Sequence, residues 1–362
     1  MTDKIKDIVV IFVFGFITLG MLFVNIIKED NQISISERRK LATFPIFTSK
    51  EIFNGNFAKK FDQYAMDQFV KRESFRKLKT NIELNLFKKQ DVNNIYKYND
   101  FLVEQLYPLN EKSVENITKK MNEIKTKYLD GTNKIYYTII PDKNYYINKS
   151  NLKLDYNKIK QIMNSNLNDM QYIDIFDCLD LNCYYYTDSH WKQENILKVA
   201  EKLAQNMNFN IAKEFEKQEV SKFKGVYSGQ LPVNTKEDTI NILTNNTIKN
   251  CEVYNYEKNE TTSIYNLSKL NEYDKYDVYL SGATALLEIK NSNGRKDKEL
   301  IVFRDSYASS LIPLMVEEYS KITLIDTRYV SPKILKDLVD FEGKDILFLY
   351  STLVINNSTA LK

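Results

Sequence analysis

The pattern of polar and apolar positions divides the chain into three stretches. From Ile8 to Ile27 the sequence IVVIFVFGFITLGMLFVNII carries no charge over 20 residues. At about 1.5 Å per residue a helix of that length crosses a hydrocarbon core of ~30 Å. Asp3, Lys4, Lys6 and Asp7 precede it, and Lys28, Glu29 and Asp30 follow. No small-x-small cleavage site closes the run, which is longer than the apolar region of a usual signal peptide. The reading is a short tail (1–7) and an uncleaved anchor (8–27), with a cleaved signal peptide as the alternative. Lys4 and Lys6 favour a cytoplasmic N-terminus, whereas Arg38, Arg39 and Lys40 pull the other way. No second run is long enough to span, and Ile346–Ile355 falls far short, so the remaining chain is expected outside the membrane.

Residues 28–50 are predicted to form a stalk, polar from Asn31 to Lys50 and ending in Leu41-Ala-Thr-Phe44-Pro45. Between Lys50 and Phe87, Ile52, Phe53, Phe57, Phe61, Tyr64, Phe69 and Phe75 recur at three- and four-residue steps, which predicts helix. Asp62, Asp67, Gln68 and Arg72 among them read as its solvated face. From Val92 onward helical and strand patterns alternate. Helices are expected at 111–129, 156–170, 193–207, 308–319 and 332–339. Strands are expected at 134–140, 172–176, 299–303, 321–326 and 345–350. Alternation of this kind predicts an α/β fold, a largely parallel sheet with helices on both faces. The whole of 51–362 is taken as one domain, with an inserted, β-rich or loop-rich polar region at about 211–271. No internal repeat is present.

Composition excludes some functions. Hydrophobic residues at 43% and charged residues at 27% are those of a globular protein. The net charge is only +3, with basic and acidic residues interspersed, so no stripe marks a nucleic-acid partner. Cys178, Cys183 and Cys251 lack CxxC spacing, and with a single histidine they imply no metal and no cofactor.

That histidine, His190, is the one imidazole able to serve as a base near neutral pH. It stands in Asp188-Ser-His190-Trp191, and on an extended loop the Asp188 carboxylate can fold back to its Nδ1. A second motif, Phe303-Arg-Asp-Ser306-Tyr307, lies where a strand meets a helix. A serine there projects from the carboxyl edge of the sheet, beside free N–H groups able to hold an oxyanion. Helix capping by Ser306 or Asp305 is the alternative. Taken together, the two motifs supply a nucleophile (Ser306), a general base (His190) and an orienting carboxylate (Asp188). Arg328 is a candidate for a substrate carboxylate or for an ion pair with Asp326. Tyr184 to Tyr186, Tyr307 and Trp191 are candidates for a sugar groove, with packing beneath the histidine loop as the other role for Trp191.

These two motifs resemble the permuted SGNH-hydrolase-like proteins of bacterial exopolysaccharide acetylation, among them the alginate O-acetylation proteins and, more closely, the DHHW family. The similarity extends to Glu37-Arg-Arg-Lys-Leu-Ala-Thr-Phe-Pro45, Asp67-Gln-Phe69, Pro141-Asp-Lys143, Phe223-Lys-Gly225, Leu280-Ser-Gly282 and Ile325-Asp-Thr-Arg-Tyr329. The resemblance implies an SGNH-like, flavodoxin-type sheet with a Ser306–His190–Asp188 triad. It implies a membrane-tethered, extracytoplasmic O-acetyltransferase acting on a polysaccharide and supplied by a membrane-bound O-acyltransferase. Hydrolysis by the same site and a non-catalytic glycan-binding subunit are the alternatives. The chain departs from the family pattern at Ser189, at Arg304 and at Ser281-Gly282-Ala283, where Gly-Gly-Asn is expected. Gly282 and Ser306 are then the expected oxyanion donors, with Asn144 or Asn291 as possible replacements for the missing amide; loss of one donor costs roughly 10²–10³ in rate.

Overall fold

The computed structural model describes residues 3–34, 36–148 and 152–362, so Met1 and Thr2 of the tail lie outside the described residues. The chain divides into two compact units, one of residues 1–92 with 229–234, the other of 93–228 with 235–362.

The first unit begins with the helix Asp3–Ile27, which is long and apolar enough to cross a bilayer and has no buried residue. Inside it Thr18 donates to the Phe14 carbonyl at 2.9 Å and Asn25 to that of Met21 at 2.9 Å, so these polar side chains are satisfied without water. The single long helix expected beyond Lys50 is broken into Ser49–Phe53, Asn56–Asp67 and Arg72–Asn81. Gly55 and Lys71 take positive φ at the breaks, a conformation incompatible with a continuous helix. Asp67 and Gln68 are not on a solvated face. Asp67 is buried, accepting from Arg39 at 2.8 and 2.5 Å and from the Ala42 N–H at 2.9 Å. Gln68 is buried too, bonded to both backbone groups of Asn31. Amphipathic spacing cannot reveal a buried polar residue whose partners lie tens of residues away. The stretch after the helix Asp3–Ile27 is accordingly tied down at Asn31, Arg39 and Ala42.

The second unit is built on an eight-stranded sheet. Its strands are β1 (Ile135–Ile140), β2 (Gln171–Tyr172), β3 (Glu252–Asn255), β4 (Glu260–Ser263), β5 (Leu286–Lys290), β6 (Arg295–Arg304), β7 (Tyr319–Ile325) and β8 (Asp345–Ser351). They lie in the order β4-β3-β5-β7-β6-β8-β1-β2. From β7 to β2 the strands are parallel, and β5, β3 and β4 add an antiparallel flank. The expected α/β sheet is therefore present, and part of the polar 211–271 region supplies two of its strands. The same region also contains the hairpin Glu216–Phe223 with Asp238–Thr244 and short helical segments at Val226–Gln230, Asn246–Asn250 and Leu267–Asn271.

The central strands are apolar at successive positions because both faces of the sheet are covered. Leu300 and Val302 of β6 join Leu347 and Leu349 of β8 on one face, packed with helix α3 (Leu197–Met207). Ile301 and Phe303 join Ile346 and Phe348 on the other, against α1 (Glu111–Tyr128) and α2 (Tyr156–Asn166). The helix expected over 308–319 is shorter. It is α4 (Ala308–Leu311) running into a tighter turn at Ile312–Met315, where Pro313 removes a backbone donor. The strand expected at 172–176 pairs only at Gln171–Tyr172 before the chain turns away. The helix expected over 332–339 is likewise reduced to a tight helical segment, Pro332–Asp337.

Candidate functional site

Because β6, β7, β8 and β1 are parallel, the segments after their last residues gather at one edge of the sheet. Ser306 follows β6 there, between Asp305 and the start of α4. The turn is held by Asp305, which is buried and accepts from the Tyr307 N–H at 3.0 Å and from the Ser351 N–H at the end of β8 at 2.7 Å. Asp305 therefore fastens the Ser306 turn to the neighbouring strand. Asp142, after β1, is buried in the same way and accepts from the Thr352 hydroxyl at 2.9 Å.

The second motif reaches this edge on a narrow loop. Tyr184 and Trp191 bridge as antiparallel neighbours, and Tyr185 N–H donates to the His190 carbonyl at 3.1 Å. The chain between them must reverse, and Asp188-Ser189-His190 forms the reversal. Asp188 Oδ1 accepts from the His190 N–H at 3.2 Å and lies 2.6 Å from His190 Nδ1. Its Oδ2 accepts from the Val226 N–H at 3.1 Å, and the side chain has no exposure to solvent. His190 Nε2 lies 2.8 Å from Ser306 Oγ. The three side chains thus form one continuous hydrogen-bonded row, with Ser306 and His190 partly open to solvent and Asp188 closed off.

The imidazole is also fixed from its faces. Tyr276 stacks on it at 3.9 Å between centroids and 11° between planes, and the Tyr307 ring lies 4.9 Å away. Tyr276 OH shares a hydrogen bond of 2.8 Å with Ser310 Oγ, and Ser310 Oγ also accepts from Trp191 Nε1 at 3.0 Å. Ser310 on α4 thereby links both rings to the helix that carries Ser306. Neither Tyr276 nor Ser310 belongs to either motif, and nothing in the local sequence marks them.

Several expected substrate contacts have other roles. Trp191 is fully buried and donates to the Tyr307 carbonyl at 3.0 Å, so it packs beneath the loop and presents no face to a sugar. Tyr307 is buried and donates to the Ser189 carbonyl at 2.7 Å, which closes the histidine loop onto the serine turn. Arg328 is engaged by Asp326 at 2.9 and 2.6 Å, the ion-pair alternative for this residue. Tyr186 keeps partial exposure, with its ring 4.7 Å from Phe101 and Lys192 Nζ 4.7 Å above it.

Among the oxyanion candidates, the Ser306 N–H meets no acceptor among the described residues. Gly282 is at the same sheet edge, just before β5, but its N–H donates to the Tyr279 carbonyl at 3.1 Å. Its φ of +85° is a conformation that favours glycine, and the Asp277 carboxylate would have to move aside for a side chain there. Asn144 is buried, its amide donating to the Leu152 carbonyl and its oxygen accepting from Tyr96. Asn291 follows β5, which runs antiparallel to β7, and so lies at the opposite edge of the sheet from Ser306. Neither asparagine replaces the amide missing at Ala283. Arg304, in the position before Asp305, is fully buried, donates to Ser309 Oγ at 2.9 Å and is lowered in pKa by burial, with Asp326 acting against it. All three cysteines are free thiols.

No protein-family model and no curated protein matches the sequence. Solved structures do match the fold. A DHHW family protein from Eubacterium siraeum aligns with a TM-score of 0.60 at 16% identity, covering 74% of this chain and 92% of that one. Bacillus cereus PatB1, in a structure with a sulfonyl adduct, aligns at 0.58 with 14% identity, covering 73% of this chain and 97% of PatB1. The chain has the fold of the DHHW family protein and of PatB1, the architecture that its two motifs led us to expect.

Proposed function

We propose that the chain is a membrane-tethered O-acetyltransferase of a cell-surface polysaccharide, working through an acetyl-serine intermediate at Ser306. The observation that carries this reading is the row Ser306 Oγ–His190 Nε2–His190 Nδ1–Asp188 Oδ1, at 2.8 and 2.6 Å, on the carboxyl edge of an α/β sheet. His190 removes the Ser306 proton as Oγ attacks the acetyl carbonyl of the donor. The tetrahedral oxyanion is met by the Ser306 N–H, and His190 returns the proton to the departing oxygen. An acceptor hydroxyl, deprotonated by His190, then attacks the acetyl-serine, giving the acetylated glycan and free Ser306. Asp188 holds Nδ1–H and stabilises the imidazolium that forms transiently within each acetyl transfer, until His190 gives its proton to the departing oxygen. A membrane-bound O-acyltransferase is the proposed source of acetyl groups, and the helix Asp3–Ile27 the proposed membrane tether.

The competing reading, a non-catalytic glycan-binding subunit, draws on the engagement of the Gly282 N–H by Tyr279, which leaves one evident oxyanion donor. One experiment separates them. Full-length protein in detergent is given a chromogenic acetyl ester, alongside Ser306→Ala and His190→Ala. Acetyl release by the parent and its loss in both variants is the expected result; a parent no faster than its variants removes the catalytic reading. Added glycan then tells transfer from hydrolysis. A sulfonyl fluoride supplies an independent readout, since displacement of fluoride by Ser306 Oγ leaves a sulfonate ester detectable by mass. That mass should appear on the Ser306 peptide of the parent and be absent from Ser306→Ala.

A further inference from the structure

We propose that residues 44–89 of the first unit form a platform lying on the surface of a bilayer that contains anionic lipid, beside the spanning helix. The inference rests on the reading of Asp3–Ile27 as a membrane span.

Three observations within this unit support it. First, the helix is joined to the platform without slack. Asn25 Oδ1, inside the last turn of the helix, accepts from the Val70 N–H at 2.8 Å. Tyr64 OH donates to Asp30 at 3.0 Å, and Gln68 brackets Asn31. Asp30 is three residues beyond Ile27, and an extended chain covers at most about 10 Å in that distance. Tyr64 and Val70 are therefore held at the level where headgroups meet acyl chains.

Second, the platform carries large apolar side chains on its outside. Phe44 packs edge-on against Tyr64 at 5.2 Å and against Phe61 at 6.0 Å, and Phe47 against Phe57 at 5.3 Å. The ledge continues from the tethered Tyr64, yet Phe47 is 72% exposed and Phe53 90%. Helices Asn56–Asp67 and Arg72–Asn81 also flank an open apolar groove of about 940 Å³ lined by Met66, Phe69 and Phe75, and Leu86 nearby is 71% exposed. Exposed apolar surface of this extent marks a binding face, and aromatic rings favour the interfacial level.

Third, the charge is complementary to acidic headgroups. Ten lysines and arginines face five acidic residues between Ile46 and Lys89, an excess larger than that of the whole chain. Basic residues around an apolar face are the mark of helices that lie in an anionic interface.

The test uses single tryptophans. Trp191 is the chain's sole tryptophan and is buried in the second unit, so it supplies a constant background. Full-length Phe47→Trp, Phe53→Trp and Leu86→Trp are reconstituted into vesicles of phosphatidylcholine and phosphatidylglycerol with brominated acyl chains, with exposed Lys119→Trp as reference. The three platform indoles should lose most of their emission while Lys119→Trp stays bright, and omission of phosphatidylglycerol should weaken the quenching. A chain that floats with the vesicles while its platform indoles stay bright overturns the platform and leaves the span standing. A chain that fails to float overturns both. Bright, blue-shifted emission that grows with protein density puts a second copy on this face instead, and quenching indifferent to phosphatidylglycerol overturns the assignment to anionic lipid.

Discussion

His190 has a carboxylate at one nitrogen, a hydroxyl at the other and a tyrosine against its face, so its tautomer and its plane are both set before any substrate arrives. Asp188→Asn keeps the shape but presents either an amide N–H to Nδ1–H or a weaker acceptor, and it favours the wrong tautomer. It should lower acetyl release by up to about 10⁴ with little change in thermal unfolding, as expected for a group that acts through orientation. An unchanged rate would show that Asp188 has no part in the reaction. Lys143, after β1, offers a pH-dependent test. Its amine is buried and donates to the Leu102 carbonyl at 2.8 Å. Burial pushes its pKa down to about 7, with Asp238 and Asp188 pulling the other way. In an unfolded chain lysine titrates near about 10.4. Between those values the unfolded chain binds more protons than the folded one, so stability from this group rises as pH rises from about 7 towards 10. Lys143→Met should flatten that rise in unfolding midpoint; equal slopes for parent and variant would exclude Lys143 as its origin.

At the scale of elements, the histidine loop is shaped by the hairpin Glu216–Phe223 with Asp238–Thr244 and the turn inside it. Asp238 accepts from the Tyr186 N–H at 2.6 Å, the Thr187 N–H at 2.7 Å and the Thr187 hydroxyl at 2.5 Å, so one buried carboxylate gathers three donors just before Asp188. Gly225 passes so close to the loop that a Cβ there would lie 2.5 Å from the Asp188 α-carbon and from the Thr187 carbonyl. Both obstacles are backbone and cannot swing aside. Gly225→Ala should therefore displace Asp188 and cut acetyl release at least about 10²-fold, the scale of effect expected when a catalytic group is misplaced by about 1 Å. Full activity in Gly225→Ala would show that the loop tolerates the shift. Phe223-Lys-Gly225 was legible as one of the matching segments, but its reason is this approach between elements some forty residues apart in sequence.

For the molecule as a whole, the two units rest on different forces. The second has an apolar core on both faces of its sheet, whereas the first carries a partly exposed ionic network of Glu37, Arg39 and Arg72 around the buried Asp67. The Arg39 guanidinium hydrogen-bonded to Asp67 holds its carboxyl below the usual range. Its stabilising contribution is complete above the unfolded carboxylate value of about 3.9 and is lost as pH falls through the lower, folded value. Hydrogen exchange at falling pH should show the helices of 49–81 opening before the central strands of the sheet, and Asp67→Asn should open them already at neutral pH. Simultaneous opening of both would refute the assignment. The apolar helix, the α/β alternation and the serine, histidine and aspartate that meet at the sheet edge were all legible in the order of residues. Those features depend on local periodicity, turn chemistry and the scarcity of histidine. Folding settled what depends on distant partners. It buried Trp191 and Tyr307, paired Arg328 with Asp326, tied the expected stalk to Asp67 and Gln68, and gave the Gly282 N–H to Tyr279. A burial or a hydrogen bond belongs to two residues at once, and chain order shows which residues exist but not which of them the fold brings face to face.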